Sequence, residues 1–124
     1  MLQNPELPAP VAAFVRGVNT GDLHTLVGAF AEHALVNDQL HEYWDRPAIE
    51  GWAARDVVGQ QLAISVSKVV SHHDQCVVEA SISGSFDRRG LPDPLVVTFY
   101  FSIHGSELVQ LVILRNEPDE LTAR

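Results

Sequence analysis

Few residues in this chain have the type and setting to do chemistry. Asp38 closes an apolar segment, residues 34–38. A carboxylate held against apolar surroundings can act as a general base. The competing reading is a turn aspartate that accepts hydrogen bonds from nearby backbone N–H groups. His41 follows three residues later and could be a proton partner or a donor to a ligand, or simply an exposed strand histidine. Glu42 has the same standing. Tyr43, Trp44 and Trp52 could line a pocket for a flat ligand, or could close the core. Tyr100 would be a proton donor only if it faced inward, and it shares a strand face with Thr98, Ser102 and His104. Arg115 and Asn116 could anchor a polar group of a ligand, with a structural ion pair as the other role for Arg115.

Other chemistries are excluded by spacing. His72-His73-Asp74 places two histidines side by side, and neighbouring strand residues point to opposite faces, so one metal ion cannot take both. His24 and His33 do not share a helix face. No metal site and no cofactor are expected. No nucleophile elbow, phosphate loop or dinucleotide fingerprint occurs. The lone cysteine, Cys76, rules out a disulfide framework within the chain and reads as a small hydrophobe at a strand start.

The elements that must position Asp38 follow from periodicity. A chain of 124 residues with 46% hydrophobic and 19% charged residues is one globular domain, residues 1–124. Its net charge of −8 would repel a phosphate backbone, so no nucleic acid is expected. No apolar stretch is long enough to span a bilayer, and the start lacks the pattern of a secretory signal. The expectation is a cytoplasmic protein. Residues 1–10, with Pro5, Pro8 and Pro10, read as a loose lead-in.

Val11, Phe14, Val15 and Val18 then form one helical stripe. Gly21 suits a helix C-terminus, and Thr20 or Asp22 can cap the next helix. The second stripe is Leu23, Leu26, Val27, Phe30 and Ala34. Residues 34–38 and 39–44 read as two short strands or an irregular hairpin. Asp45-Arg46-Pro47 starts a third helix, with Ile49, Trp52, Ala53 and Val57 on its inner stripe and Gly59 at its end.

The remainder is β. Residues 62–71 and 76–86 alternate, the latter with Val78, Ala80, Ile82 and Phe86 on one face. A long turn follows. Residues 95–104 put Val97, Phe99, Phe101 and Ile103 on one face. Gly105-Ser106 is a two-residue hairpin signal of type II′. Residues 108–114 are apolar on both faces, which suits burial by helices on one side and a partner subunit on the other. The order is an α+β meander with its helices on one sheet face.

Three segments carry a family resemblance. Phe14 to Leu23 reads FVRGVNTGDL, Phe30 to Asp38 reads FAEHALVND, and Pro47 to Trp52 reads PAIEGW. Together they resemble the nuclear transport factor 2-like superfamily, in its SnoaL-like branch. The resemblance implies a cone-shaped, curved mixed β-sheet packed on three N-terminal helices, the cystatin-like arrangement, with a pocket at the open end. It also implies a homodimer through the outer sheet face and a small apolar molecule as ligand.

Ketosteroid isomerase belongs to the same superfamily, and there Asp38 matches the position of the general base. Phe14 falls where that enzyme has a tyrosine and Phe99 where it has a protonated aspartate, the two donors to the enolate oxygen. Phenyl rings donate no hydrogen bond, so ketosteroid isomerase proper is rejected. Asn116 falls where the polyketide cyclases have an acid/base aspartate, and asparagine cannot shuttle a proton. The resemblance therefore implies Asp38 as catalytic base, with Phe14, His41, Trp44, Trp52, Phe99, Phe101 and Asn116 around the ligand. Isomerase, dehydratase or cyclase chemistry, a binding module without chemistry, and a protein-interaction module all stay open.

Overall fold

The computed structural model describes residues 6–87 and 89–116. Helix α1, Ala9–Thr20, starts inside the segment expected to be a loose lead-in, with Pro10 in its first turn, where a missing N–H costs nothing. It buries Val11, Phe14 and Val18. Gly21 ends it at a φ of 67°, the left-handed conformation that glycine takes without strain. The N–H of Asp22 then returns to the Gly17 carbonyl at 2.9 Å. Asp22 also caps α2, Leu23–Gly28, accepting from the Thr25 backbone N–H at 3.1 Å and from its hydroxyl at 2.7 Å.

The second helical stripe is shorter than its sequence suggests. Phe30 and Ala34 belong to strand β1, Phe30–Asp38, where both are fully buried. Gln39 and Leu40, both at positive φ, turn the chain back into β2, His41–Trp44, so Gln39 is a turn residue rather than a strand residue. Helix α3, Asp45–Trp52, continues as a π-helical segment, Ala53–Val58. The sheet then runs through β3, Ala63–His72, β4, Gln75–Ser83, β5, Leu95–His104, and β6, Glu107–Arg115. Strand β4 ends three residues before Phe86, which lies in the following loop.

The six strands form one curved mixed sheet in the order β2-β1-β6-β5-β4-β3. Among the described residues only the β1–β6 pair is parallel. Helices cover its inner face, and the core lies between. Phe14 is at the centre of that core, with its ring edge-on to Phe30, Phe99 and Phe101 at 5.5–6.1 Å. Asn19 ties α1 to the free edge of β3: its amide donates to the Ile64 carbonyl at 3.0 Å and accepts from the Ile64 N–H at 2.6 Å.

The outer face has a different composition. Register places Val70, Val77, Tyr100 and Val112 in one row across β3 to β6, and Val70 and Tyr100 are exposed. Leu114 is exposed beside them. Among the described residues no helix is long and apolar enough to cross a membrane.

Candidate functional site

Strand alternation sets the site. Ala34 and Val36 point inward on β1, and Asp38 follows on the same face at the strand's last position. In the parallel partner, Asp38 is opposite Ile113, with Arg115 next on the inner face. The inner faces of β3, β4 and β5 contribute Ile64, Ile82, Val97 and Phe99. Helix α1 contributes Phe14 and Val18, and the end of α3 with its π extension contributes Trp52, Asp56 and Val57. These residues enclose a cavity of about 290 Å³ that opens to solvent, with Phe86 and Leu91 from the β4–β5 loop beside it. Ligand pockets begin at about this size.

Asp38 is half-buried at this cavity. Its Oδ2 accepts a 3.0 Å hydrogen bond from Trp52 Nε1–H. Trp52 is only 1% exposed, and a buried indole N–H needs an acceptor. Among the described residues Oδ1 of Asp38 has no hydrogen-bond partner. One oxygen is therefore held in place while the other keeps its lone pairs for a ligand. The Trp52 ring packs against Tyr43 at 6.2 Å between centroids. Arg55 lies over the far side of the bracing, 5.7 Å from the Tyr43 ring centre, and donates to its hydroxyl at 3.3 Å.

The other polar lining groups are engaged. Asp56 accepts a two-pronged grip from Arg55, Nε and Nη2 each at 3.0 Å, and this raises the Arg55 guanidinium above its usual range. Gln39 fastens the end of β1 to β6. Its backbone N–H and its side-chain amide both donate to the Ile113 carbonyl, at 3.0 and 3.1 Å, and its Oε1 accepts from the Arg115 N–H at 3.2 Å.

The structure brings together Asp38, Phe14, Trp52 and Phe99 around the cavity, and it separates the other four residues that sequence reasoning placed there. His41 and Trp44 are exposed on β2, and neither lines the cavity; Trp44 donates to Glu42 at 3.3 Å instead. Phe101 shares a face with Phe99 but lies deeper, 1% exposed against Phe14, below the floor of the cavity. Asn116 sits on the outer face, accepting from Thr98 Oγ1 at 2.6 Å and donating to Glu79 at 3.2 Å. Its position follows from parity: Arg115 is inward, so the next residue is outward.

Sequence reasoning missed Gln39, Asp56, Phe86, Leu91 and Ile113. For Ile113 the alternation with Arg115 was a usable signal. For Phe86 the alternation shared with Val78, Ala80 and Ile82 was a signal too; for Gln39, Asp56 and Leu91 none existed, because turn, π-helix and loop residues reach the cavity only through the fold. Among the described residues no three His, Cys, Asp or Glu side chains group as a metal site.

No protein-family model matches the chain, and no curated protein matches it either. Solved structures do. A protein of Sinorhizobium meliloti, provisionally assigned as a polyketide cyclase, is 24% identical with a TM-score of 0.80, covering 91% of this chain and 100% of its own. A Catenulispora acidiphila protein with a ketosteroid isomerase-like fold, in complex with trimethylamine, is 20% identical with a TM-score of 0.74, over 88% of this chain and 86% of its own. TerC co-crystallised with polyporic acid is 9% identical with a TM-score of 0.73, over 91% and 93%. At these identities the likeness establishes the fold, which is nuclear transport factor 2-like.

Proposed function

We propose that this protein binds a small, largely apolar molecule in its cone and moves a proton on it, with Asp38 as general base. The chemistry is of the isomerase, dehydratase or cyclase type. One observation carries this reading: a half-buried carboxylate at an apolar cavity, with one oxygen held by Trp52 and the other without a hydrogen-bond donor among the described residues. A base must reach its proton in a fixed geometry, and the Trp52 bond supplies that fixity without occupying both oxygens. Neighbours of the same fold that hold small molecules support small-molecule binding. The apolar lining favours a second reading, a binding module with no chemistry.

The test is hydrogen–deuterium exchange at acidic C–H positions of small cyclic unsaturated ketones in D2O, followed by proton NMR. Wild-type protein should accelerate exchange over buffer, and Asp38→Asn should not, while keeping its fold. Exchange retained by Asp38→Asn ends the base assignment. Ligand-induced shifts of the Trp52 indole signal without any exchange in the wild type would leave binding alone.

We also propose that two copies of the chain pair through the outer sheet face. The row of Val70, Val77, Tyr100 and Val112, with exposed Leu114, is the apolar surface that such pairing would cover.

A further inference from the structure

We propose that Phe86 and Leu91 form a partition at the end of the cavity remote from Asp38, and that this partition sets the longest ligand the cone accepts. The ligand class is a compact molecule with a hydroxyl or N–H head at Asp38 and a short apolar body. The proposal rests on the reading that the cone binds a small molecule, and it does not need Asp38 to act as a base.

A second, smaller chamber of about 120 Å³ lies against the β4–β5 loop. Ile82, Phe86, Leu91 and Leu95 line both this chamber and the main cavity of about 290 Å³. A side chain that lines two volumes stands between them. Ile82 and Leu95 are register partners on β4 and β5, so they belong to the sheet. Phe86 and Leu91 come from the loop and complete the wall. Beyond it, Pro92 and Asp93 line the chamber and not the cavity.

The wall is fastened at its root. Ser85 donates both its backbone N–H and its hydroxyl to the Gln60 carbonyl, at 2.8 and 2.9 Å. Gly84 approaches the same turn so closely that a Cβ would stand 2.8 Å from Gln60 O and 2.8 Å from Leu62 Cδ2. That Cβ would also stand 3.1 Å from Phe86 Cδ1, so the ring folds back over the glycine. Phe86 is thus placed by the two residues before it, which tie the loop to the end of the π-helical segment.

Sheet order gives the cavity a direction. Asp38 is on β1 and Ile82 on β4, three strand spacings away, or about 14 Å across the sheet. Between them the lining is apolar, with Phe14, Val97 and Phe99. Oδ2 of Asp38 is held by Trp52, and Oδ1 accepts from no other described residue. A hydroxyl or N–H head therefore gains a charge-assisted hydrogen bond at the Asp38 end, and apolar atoms are favoured towards Phe86. The chamber behind the wall has room for about four water-sized groups, at about 30 Å³ each. A ligand tail stops at the Phe86 ring, and with that ring removed it would run on into the chamber.

The test uses 4-alkylphenols, lengthened one methylene at a time from ethyl to octyl. Each is titrated into the full chain while the indole N–H signals of Trp52 and Trp44 are followed, the exposed Trp44 serving as internal reference. A methylene that finds apolar room adds about four-fold in affinity. In the wild type the rise should end at one chain length. In Phe86→Ala it should continue for two to three further methylenes, a gain of about 15- to 60-fold for the longer phenols, with the shorter ones changed by less than about two-fold. Leu91→Ala should shift the end point in the same direction, and it carries the comparison if Phe86→Ala does not fold. Val18→Ala, which enlarges the cavity from α1, should leave the end point where it is. Asp38→Asn should weaken every phenol by a similar factor and also leave it. The proposal is overturned by an end point that neither loop variant moves, by one that Val18→Ala moves equally, by a wild-type rise with no end, or by phenol affinities that ignore Asp38→Asn. No binding to any form overturns it together with the binding reading. An end point that follows Phe86, with no deuterium exchange in the wild type, would remove the base and keep the partition.

Discussion

Gly17 offers a test in which the sign of the effect carries the information. It lies in the interior of α1, where replacing glycine by alanine ordinarily stabilises a helix by up to about 1 kcal/mol. Here a Cβ on Gly17 would stand 2.6 Å from Leu26 N, 2.8 Å from Leu26 Cα and 2.9 Å from Leu26 Cβ. Two of those three atoms are backbone, so no rotamer change relieves the clash. Helices α1 and α2 must part by roughly 0.8 Å for the tightest approach to become ordinary contact, and a gap of that size forfeits a quarter to a half of the dispersion between the facing surfaces. Overpacking of this kind costs ~1–3 kcal/mol. Against the helix gain, Gly17→Ala should therefore be less stable by about 1 kcal/mol, and by no more than about 2 kcal/mol, lowering the urea midpoint by roughly 0.5–1 M.

The control is Gly51→Ala in α3, where a Cβ meets nothing within 4 Å. There the helix preference acts alone and the midpoint should rise. Because α1 carries Phe14 and Val18 into the cavity, Gly17→Ala should also shift the Trp52 indole signal. A Gly17→Ala protein as stable as the wild type, or a loss of the same size in Gly51→Ala, would refute the claim that close helix approach dictates glycine at this position.

Two further outcomes can be measured directly. Hydrogen bonds from the Thr25 side chain and backbone hold the Asp22 carboxyl below its usual 3.8, so the unfolded chain binds that proton more readily than the folded one. The stability Asp22 contributes is then full above about pH 4 and is lost as pH falls through the lowered folded value. Asp22→Asn, which keeps the cap but not the charge, should melt below the wild type at about pH 6, with the gap narrowing as pH falls below the ordinary carboxylate value of 3.8; a gap independent of pH would exclude the ionised cap as its source. On the outer sheet face, sedimentation should show a dimer that Tyr100→Glu converts to monomer, and a monomeric wild type at micromolar concentration would remove the pairing proposal.

Much of the architecture is legible in the amino-acid order alone. The helices announce themselves through Val11, Phe14 and Val18 and through Ile49 and Trp52, each set repeating at the helical period. Gly21, Asp22 and the Gly105-Ser106 pair mark turns through local chemistry, and each stands where its residue type places it. Alternation in β5 separates the inward Val97, Phe99 and Phe101 from the outward Tyr100. These are short-range properties: a cap, a turn or a strand face depends on neighbours within about one turn or a few residues. Even there the reading failed where two periods fit the same residues, as at Phe30 and Ala34, which suit a helical stripe yet pair as strand β1.

The site belongs to another scale. Phe99 and Phe101 share a strand, a face and a side chain, but one lines the cavity and the other is packed beneath Phe14, because depth within the cone is set by what the helices cover. Asp38 and Trp52 meet across a turn, a short strand and a helix. Gln39 reaches Ile113 only because β6 returns parallel to β1. Such meetings depend on chain segments far apart in sequence closing on one another. Residue order specifies which side chains are available to a face, and only the closed sheet decides which of them share a volume.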